Sequence, residues 1–469
     1  MGTCIVRGVT IVDTRDGTLT PGMAVAVAGG RIAKIAPADA VEEGGSAQVI
    51  DAHGKFAVPG YLDMHGHPLD STDPQGALAL MLASGITGFR QMSGSPDLLR
   101  SRREGTLPVP AAAPELLAMP GMILLPLNAG SPADAVAEVR RQKEMGADFI
   151  KVISVRPDAF FAALEEATRL GLPVAGHLTP NIDAAEASRA GMRAIEHLGP
   201  QDTILIGCST DEAALRAAIA QAPPFVPPIA GGPRAADMNE DVIANPVMVV
   251  PAAGFSRMRR VIDTFSEDKC REVAATFAAN GTWQVPTLIR IRTMNFGDDP
   301  AYRADPNLRY VPGARRQMWD YLAQRFAAHI APPVRQTLAE LFALQLRVLK
   351  LLAEGGVRMA AGSDSGSNGQ WDIAGFALHQ EFDLLEQAGL SPLRILQMAT
   401  LDAAALVGRE ASLGRVAEGK NADLVLLDGD PTASAQNLHA IWGVVRGGTY
   451  HARDDLAAMK EGVAAAVAA

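Results

Sequence analysis

The chain begins and ends with short runs of apolar and β-branched residues separated by Gly and Pro turns. Runs of this kind are CIVRGVTIVD and MAVAVAGGRIAKIA near the start, and ADLVLLD and AIWGVVRGGTY near the end. Their composition is typical of β-strands. We predict that both ends combine into one small β-sandwich domain, spanning residues 1–58 and 410–452, and that residues 453–469 form a terminal helix or a frayed tail.

Residues 59–409 follow a different pattern, in which apolar strand-like runs alternate with amphipathic helical runs. This alternation predicts repeated βα units around a parallel sheet. Eight candidate strands can be recognised: YLDMHGH, ITGFRQM, ELLAMPG, DFIKVI, PVAGHL, RAIEHL, WQVPTLI and VRMAAGSD. Several helical runs end in Gly before a strand, as in RRQKEMGADFIKV, where Gly supplies the positive φ of a helix end. We therefore predict an α/β fold, a (β/α)8 TIM barrel joined to the small β domain.

The region from about residue 221 to residue 345 departs from this alternation. It begins with the Pro-rich run QAPPFVPPIAGGP and contains a single candidate strand, WQVPTLI. Long insertions beside barrel loops commonly form lids or substrate pockets, but a structural elaboration of the barrel fits the pattern almost as well. We predict a helical insertion and assign no chemistry to it.

Composition narrows the function classes. The chain has 469 residues, is 48% hydrophobic and carries a net charge of −10, so it offers no basic surface for nucleic acid. Three scattered cysteines favour a reducing compartment over a disulfide framework. We find no signal-like start and no apolar run of about 18 residues. We expect a cytoplasmic protein without a membrane partner, although a removed leader peptide remains open. A small-molecule substrate and a homo-oligomer are the expected partners.

The polar residues at the predicted strand ends carry the candidate chemistry. They are His65, His67, Lys151, His177, His197 and Asp364. His65 and His67 are two residues apart on one strand, so both can face one metal ion. The carboxyl ends of barrel strands carry the active site in barrel enzymes. We therefore predict that these side chains meet in one pocket.

Imidazole nitrogen and carboxylate oxygen are ligands that suit zinc and related divalent ions. A bound ion acidifies water, a second ion can hold the substrate oxygen, and a neighbouring carboxylate can move a proton. Each signal is weak alone, because a single strand histidine is more often a packed core residue. The recurrence of such residues at five strand ends, in order, favours a metal site.

These motifs, PGYLDMHGH, GADFIKV, GLPVAGH, AIEHL, AAGSDS and LGRVAEGKNADLVLLD, resemble the amidohydrolase superfamily, specifically its imidazolonepropionase-like and prolidase-like branch. The resemblance spans nearly the whole chain. It implies a binuclear centre in which His65, His67 and Asp364 bind the first metal and His177 and His197 the second. Lys151, carboxylated by carbon dioxide, would bridge the two ions, and Asp364 would act as general base and then as general acid.

The resemblance leaves the metal and the substrate open. Ligand type favours zinc, with manganese, cobalt and iron as alternatives. The first motif continues as HGHP and the second strand as GFRQMSGS, and both depart from common relatives. Mononuclear deaminases of the superfamily place a Glu three residues after the strand-five histidine, where this chain has Pro180. That difference, together with Lys151, argues against a deaminase.

The predicted function is hydrolysis of an amide C–N bond by metal-bound hydroxide, in a dipeptide or an N-acyl amino acid. A cyclic amide, lactone, carbamate or phosphotriester remains an alternative substrate for the same site. A non-catalytic metal-binding paralogue is disfavoured because all six site residues are present. Candidate substrate-binding residues are Arg90, Arg290, Arg292 and Trp371, since Arg matches carboxylate geometry. His379, on a predicted helix, is assigned to core packing.

Overall fold

A computed structural model describes residues 3–41, 47–221, 244–366 and 369–468. The Pro-rich run that opens the predicted insertion lies, apart from its first residue, outside these ranges. Within them, the two chain ends build one sheet and the middle of the chain builds a ring of parallel strands. The predicted α/β fold class is confirmed by this architecture.

The terminal sheet has eight strands: β1 (Cys4–Val12), β2 (Leu19–Ala28), β3 (Arg31–Pro37), β4 (Gln48–Asp51), β5 (Phe56–Pro59), β13 (Leu424–Leu427), β14 (Ile441–Arg446) and β15 (Thr449–Ala452). Their order is β15-β14-β13-β5-β1-β2-β3, and β4 pairs with β1. The chain ends meet where β13 runs antiparallel to β5. Val and Ile are frequent in strands β1, β4 and β14, because β-branched side chains pack well on a pleated surface.

The middle of the chain contributes seven parallel strands: β6 (Tyr61–Gly66), β7 (Ile86–Gln91), β8 (Glu115–Ala118), β9 (Ile150–Val152), β10 (Val174–Gly176), β11 (Ala194–Glu196) and β12 (Trp283–Val285). They form the sheets β6-β7-β8 and β9-β10-β11-β12. Single parallel bridges join Leu124 to Val152, Gln284 to Met359 and Gly66 to Ser365. The segment from Met359 to Ser365 thus takes the place of the eighth strand and closes the ring.

Helices cover the outside of the ring. Those before the insertion are α1 (Pro74–Ala83), α2 (Pro96–Glu104), α3 (Pro132–Met145), α4 (Pro157–Arg169), α5 (Ala184–Arg189), α6 (Thr203–Gly207) and α7 (Glu212–Gln221). Helix α3 shows why a helix begins and ends where the sequence predicts it. The Ser131 side chain accepts a hydrogen bond from the Asp134 N–H at its start, and Gly146 ends it at φ +84°.

The insertion is largely helical in the described residues. Its helices are α8 (Ala252–Asp263), α9 (Glu267–Asn280), α10 (Leu288–Asn295), α11 (Pro300–Arg303), α12 (Gly313–His329) and α13 (Pro332–Glu354). The candidate strand WQVPTLI is only half correct, because the strand ends at Val285 and helix α10 begins at Leu288. The change of direction occurs at Thr287, whose backbone is left-handed with φ +43°.

The last helices are α14 (Phe376–Gln387), α15 (Pro392–Ala399), α16 (Leu401–Leu406) and α17 (Arg453–Ala468). Helix α17 is the predicted terminal tail, and it buries Leu456 and Val463. Leu456 joins a cluster with Leu82 and Ala83 at the end of α1. In the described part of the chain, no helix has both the length and the apolar character required to cross a bilayer.

Candidate metal centre

Three predicted ligands lie together at the carboxyl end of β6 and of the eighth-strand segment. Asp364 Oδ1 is 3.0 Å from His65 Nε2 and 3.2 Å from His67 Nε2. These ligand atoms all lie within 4.8 Å of one another. For comparison, two ligands about 2.1 Å from a tetrahedral zinc ion are separated by roughly 3.4 Å. The group therefore has the chemistry and spacing of a divalent-ion site.

The other three predicted ligands adjoin this group. Lys151 Nζ is 3.4 Å from His65 Nε2. The ring centroid of His197 lies 4.7 Å from that of His65, and the ring of His177 lies 4.7 Å from that of His197. Lys151 sits within β9, whereas His177 and His197 directly follow β10 and β11. All six predicted side chains thus form one continuous cluster, in which His177 is half-buried and the other five are buried.

Backbone geometry brings these side chains into contact. Gly176, directly before His177, has φ +140°, and a Cβ there would lie 2.0 Å from the carbonyl oxygen of Val152. Only glycine allows β9 and β10 to approach so closely. His197 and Asp364 also have left-handed backbones, at φ +57° and +58°. Such conformations are costly for non-glycine residues and cluster at functional sites.

A buried carboxylate, Glu196, fixes the ring of His65. Glu196 Oε2 lies 2.7 Å from His65 Nδ1, and its Oε1 accepts a 2.7 Å hydrogen bond from Arg90. Burial disfavours the charged carboxylate, but Arg90 and His65 outweigh it and lower the pKa of Glu196 to about 2. An ionised carboxylate can only accept, so His65 donates from Nδ1 and leaves Nε2 free to bind a metal.

His197 and His67 are oriented in the same way through Nδ1. His197 Nδ1 lies 2.5 Å from the hydroxyl of Thr287. His67 Nδ1 lies 3.0 Å from Asp70 Oδ2 and 3.0 Å from the hydroxyl of Ser93. Each contact occupies the ring nitrogen that faces away from the cluster. Second partners of this kind are usual for metal-binding histidines.

Asp63 connects β6 to the segment that carries Asp364. Its Oδ1 accepts hydrogen bonds from the backbone N–H groups of His65 and Ser363, both at 3.1 Å, and its Oδ2 accepts one from the Ser363 hydroxyl at 2.5 Å. Asp63 is fully buried, and burial raises its pKa. This carboxyl holds the two ligand-bearing segments in register.

Burial and neighbouring charges shift the pKa values of the cluster in different directions. Burial lowers the pKa of His177 and of His197 well below the usual value, so both imidazoles are neutral at pH 7. Burial also lowers the pKa of Lys151 to about 8. Burial alone would raise the pKa of Asp364, but the charges of His65 and hydrogen bonds from the histidines bring it well below its ordinary value. Burial favours a lower pKa for His67, but the hydrogen bonds and charges of Asp364 and Asp70 outweigh the effect of burial, and the pKa of His67 rises to about 9.

The four candidate substrate-binding residues lie in different places. Arg290 is at the site, with Nε 3.2 Å from Asp364 Oδ2. Arg90 is buried beneath it, between Glu196 and the carbonyl of Met64. Arg292 contacts Asp299 and the Tyr302 hydroxyl. Trp371 packs in the insertion, stacked on Tyr302 with centroids 5.7 Å apart, and donates to the Gly297 carbonyl.

Sequence reasoning did not assign roles to Glu196, Asp63 or Thr287. Glu196 and Asp63 stand in the apolar strand motifs AIEHL and YLDMHGH. A charged residue is rarely buried in such a strand without a partner, and this could have indicated their roles. Thr287 gave no such signal, because its role depends on a left-handed backbone. His379 lies outside the cluster, and its Nε2 lies 2.9 Å from the Ser84 carbonyl oxygen, as expected of a packing residue.

Comparison with known proteins agrees with this geometry. Residues 345–452 match the sequence profile of the Amidohydrolase family. A 65-residue segment is 43% identical to the adenine deaminase of Rubrobacter xylanophilus, and it covers 14% of this chain and 11% of that protein. A 134-residue segment is 32% identical to the imidazolonepropionase of Anaeromyxobacter sp. (strain K), with 27% of this chain and 32% of that protein covered. The chain therefore aligns with a third or less of these relatives.

Two solved structures share the fold over almost the whole chain. Bottromycin amidohydrolase superposes with a TM-score of 0.70 at 24% identity, covering 99% of this chain and 90% of that one. A Xaa-Pro dipeptidase with methionine bound in its active site gives a TM-score of 0.62 at 17% identity, covering 96% of this chain and 100% of that one. The predicted resemblance to this superfamily is confirmed by the family match and the shared fold.

Proposed function

Because the chain shares its fold and its C-terminal sequence with the amidohydrolase superfamily, we propose that it is a metal-dependent hydrolase of C–N bonds in small molecules. The observation that carries this proposal is the convergence of His65, His67, Lys151, His177, His197 and Asp364 in one largely buried cluster. Four imidazoles, an amine and a carboxylate are rarely buried together without a ligand to bind.

The residues fit two divalent ions. His65, His67 and Asp364 would hold the first, and His177 and His197 the second. In His65, His67 and His197 the Nδ1 atom already has a partner, so Nε2 is the nitrogen that would bind an ion. Lys151 would bridge the ions as a carbamate, and its buried amine with a lowered pKa is suited to reaction with carbon dioxide. Ligand type favours zinc, with manganese, cobalt and iron as alternatives.

Bound ions of this kind acidify water and polarise a substrate carbonyl. The chain's own residues then supply the proton transfer. Asp364 Oδ1 faces His65 and His67, whereas Oδ2 faces Arg290 at 3.2 Å. In our proposal the Asp364 carboxylate takes the proton of the attacking water and delivers it to the leaving nitrogen. Arg290 holds the carboxylate in position between these two events.

We further propose a dipeptide or an N-acyl amino acid as substrate. The Xaa-Pro dipeptidase structure, with an amino acid in its site, supports this class. Arg290 is the predicted arginine that lies at the site, so it is our candidate for reading a substrate carboxylate. Arg90 is assigned to the support of Glu196 instead, because its Nε donates to the Met64 carbonyl and its Nη2 to Glu196. Arg292 and Trp371 contact the insertion instead.

Substrate class is tested with a panel assayed on zinc-loaded protein. The panel contains dipeptides, N-acyl amino acids, cyclic amides, lactones, carbamates, a phosphotriester and adenine. We expect turnover of at least one amide, and loss of that turnover after chelation, restored by added zinc. Activity confined to lactones or the phosphotriester would contradict the C–N bond, and release of ammonia from adenine would contradict our exclusion of a deaminase.

A further inference from the structure

Helix α10 starts in an unusual way beside the metal centre. Thr287 directly precedes it, in the N-cap position, with a left-handed backbone of φ +43°. For a β-branched residue that conformation is strained. The helix also carries Arg290, whose Nε lies 3.2 Å from Asp364 Oδ2. The first turn of α10 therefore adjoins both halves of the cluster.

Thr287 does not cap its own helix. A threonine in the N-cap position commonly accepts a hydrogen bond from the N–H group two or three residues further on. Here its side chain makes no capping hydrogen bond. Its hydroxyl instead lies 2.5 Å from Nδ1 of His197. The contact of the Thr287 hydroxyl is thus with the histidine ring and not with the helix end.

The cap comes from another helix. Glu381, on α14, accepts a 2.8 Å hydrogen bond through Oε2 from the backbone N–H of Ile289, the second residue of α10. Glu381 is fully buried. Within the described part of the chain, its Oε1 has no hydrogen-bond partner. Burying a carboxyl is costly, and the hydrogen bond from Ile289 offsets part of that cost.

We propose that Glu381 is a positioning residue of the metal centre, because it caps α10 in place of Thr287 and thereby frees the Thr287 hydroxyl to orient His197. This inference rests on the proposed function, since His197 is taken as a ligand of the second ion. In this arrangement α14, which follows Asp364 in the chain, controls a ligand that follows a different strand. Helix α10 thus connects Asp364, a proposed ligand of the first ion, with His197, a proposed ligand of the second.

The test measures zinc release from the zinc-loaded, full-length protein to a chromophoric chelator. Glu381→Met removes the acceptor, and we expect zinc release from the second site to become roughly tenfold faster. Glu381→Gln keeps an acceptor oxygen and is expected to stay within about twofold of wild type. Rescue by Gln separates capping from charge. If Gln accelerates release as much as Met, the capping role is contradicted.

Glu386→Met is the matched control. Glu386 lies on the same helix and also accepts a backbone hydrogen bond, from Ala435 N–H at 3.2 Å, but this contact is with the segment between β13 and β14 and not with α10. We expect zinc release at the wild-type rate from this variant. If Glu386→Met accelerates release as much as Glu381→Met, the effect comes from loosening α14 and the proposal is wrong.

A double-mutant cycle tests whether Glu381 acts through Thr287. Thr287→Val removes the hydroxyl and keeps the branched shape, so it should accelerate release about tenfold by itself. Adding Glu381→Met to it should change the rate by no more than about twofold. Multiplicative effects would overturn the proposed linkage. Should Glu381→Met fail to fold, Glu381→Asp, whose side chain is one methylene shorter, replaces it in the cycle.

The two proposals fail differently in these measurements. Wild-type protein that takes up no zinc contradicts the proposed function, and this inference with it. If wild-type protein binds zinc but wild type and Glu381→Met release it at equal rates, the role of Glu381 is contradicted and the proposed metal centre is not. A parallel measurement of kcat and KM should show that Glu381→Met lowers kcat with little change in KM.

Discussion

At the scale of single residues, the site is set by buried carboxyls as much as by the histidines. Glu196 and Asp63 hold His65 from two sides, and Arg90 compensates the charge of Glu196. Because these groups are buried, each one left without its partner is costly. The precision of the centre therefore depends on residues that contact the ligands and not the substrate.

Neutralising Glu196 is predicted to destabilise the fold. Glu196→Gln leaves the Arg90 guanidinium, 4% exposed, without a counter-charge, so the free energy of unfolding should fall by about 3–5 kcal/mol in urea denaturation. Glu267→Gln is the control, because Glu267 and its partner Arg347 are 35% and 58% exposed, and the loss should be several-fold smaller. Equal losses in the two variants would show that the buried pair has no special weight.

His379 is predicted to make stability depend on pH. Burial, followed by the charge of His439, lowers the pKa of His379 to about 3, and Lys460 adds to this, whereas the Ser84 carbonyl and Asp383 oppose it. The unfolded chain binds a proton near pH 6.5 and the folded chain does not. Stability should therefore fall as pH drops from about 6.5 toward 3, by up to about 1.4 kcal/mol per pH unit.

Replacing this histidine isolates its contribution. In His379→Gln the part of the slope caused by His379 should disappear, while the rest of the pH dependence of the unfolding free energy remains. Urea denaturation of both proteins at several pH values between about 4 and 7 measures the difference. Parallel curves for the two proteins would contradict a neutral, buried His379.

At the scale of elements, the sequence predicted strand ends well and changes of direction poorly. Alternation and Gly stops located the strands that carry His65, Lys151, His177 and His197. The strand prediction failed after Val285, because the apolar run continues in the sequence while the backbone turns at Thr287. Periodicity reports side-chain environment, whereas a left-handed residue and a cap from a distant helix are tertiary effects.

The insertion is held to the loop after Asp364 by an aromatic residue of α12. Trp319 is fully buried and donates a 2.9 Å hydrogen bond to the carbonyl of Gly369. Trp319→Ala should lower the free energy of unfolding by about 3–5 kcal/mol, since it removes a fully buried indole and leaves a cavity. Tyr321→Ala, on the same helix and 42% exposed, should cost within about 0.5 kcal/mol. Similar values for both would contradict this packing.

At the scale of the whole molecule, the chain ends are one structural unit. Strand β13 lies between β5 and β14, so the C-terminal strands complete a sheet begun by the N-terminal ones. Their apolar residues share one core, which includes Val6, Val25, Leu424 and Leu426. The sequence predicted this union from composition alone. It could not predict that the described strands form one continuous eight-stranded sheet.

Truncation tests that union. Removing residues 410–469 takes away β13 and exposes both the edge of β5 and the shared core, so we expect a chain that no longer folds cooperatively. Removing only residues 453–468 takes away α17 and should leave a folded but less stable protein. Circular dichroism during thermal unfolding distinguishes the two. A cooperative transition in the longer truncation would contradict a joint sheet.

The central claim is that six converging side chains bind divalent ions, and metal content tests it most directly. Wild-type protein loaded with zinc and passed through a desalting column should retain about two ions per chain by elemental analysis. Lys151→Ala should retain markedly less, because the proposed bridge is removed, whereas Lys269→Ala, at a partly exposed pair with Glu212, should match wild type. Wild-type protein without bound metal, or Lys151→Ala with an unchanged content, would contradict the account.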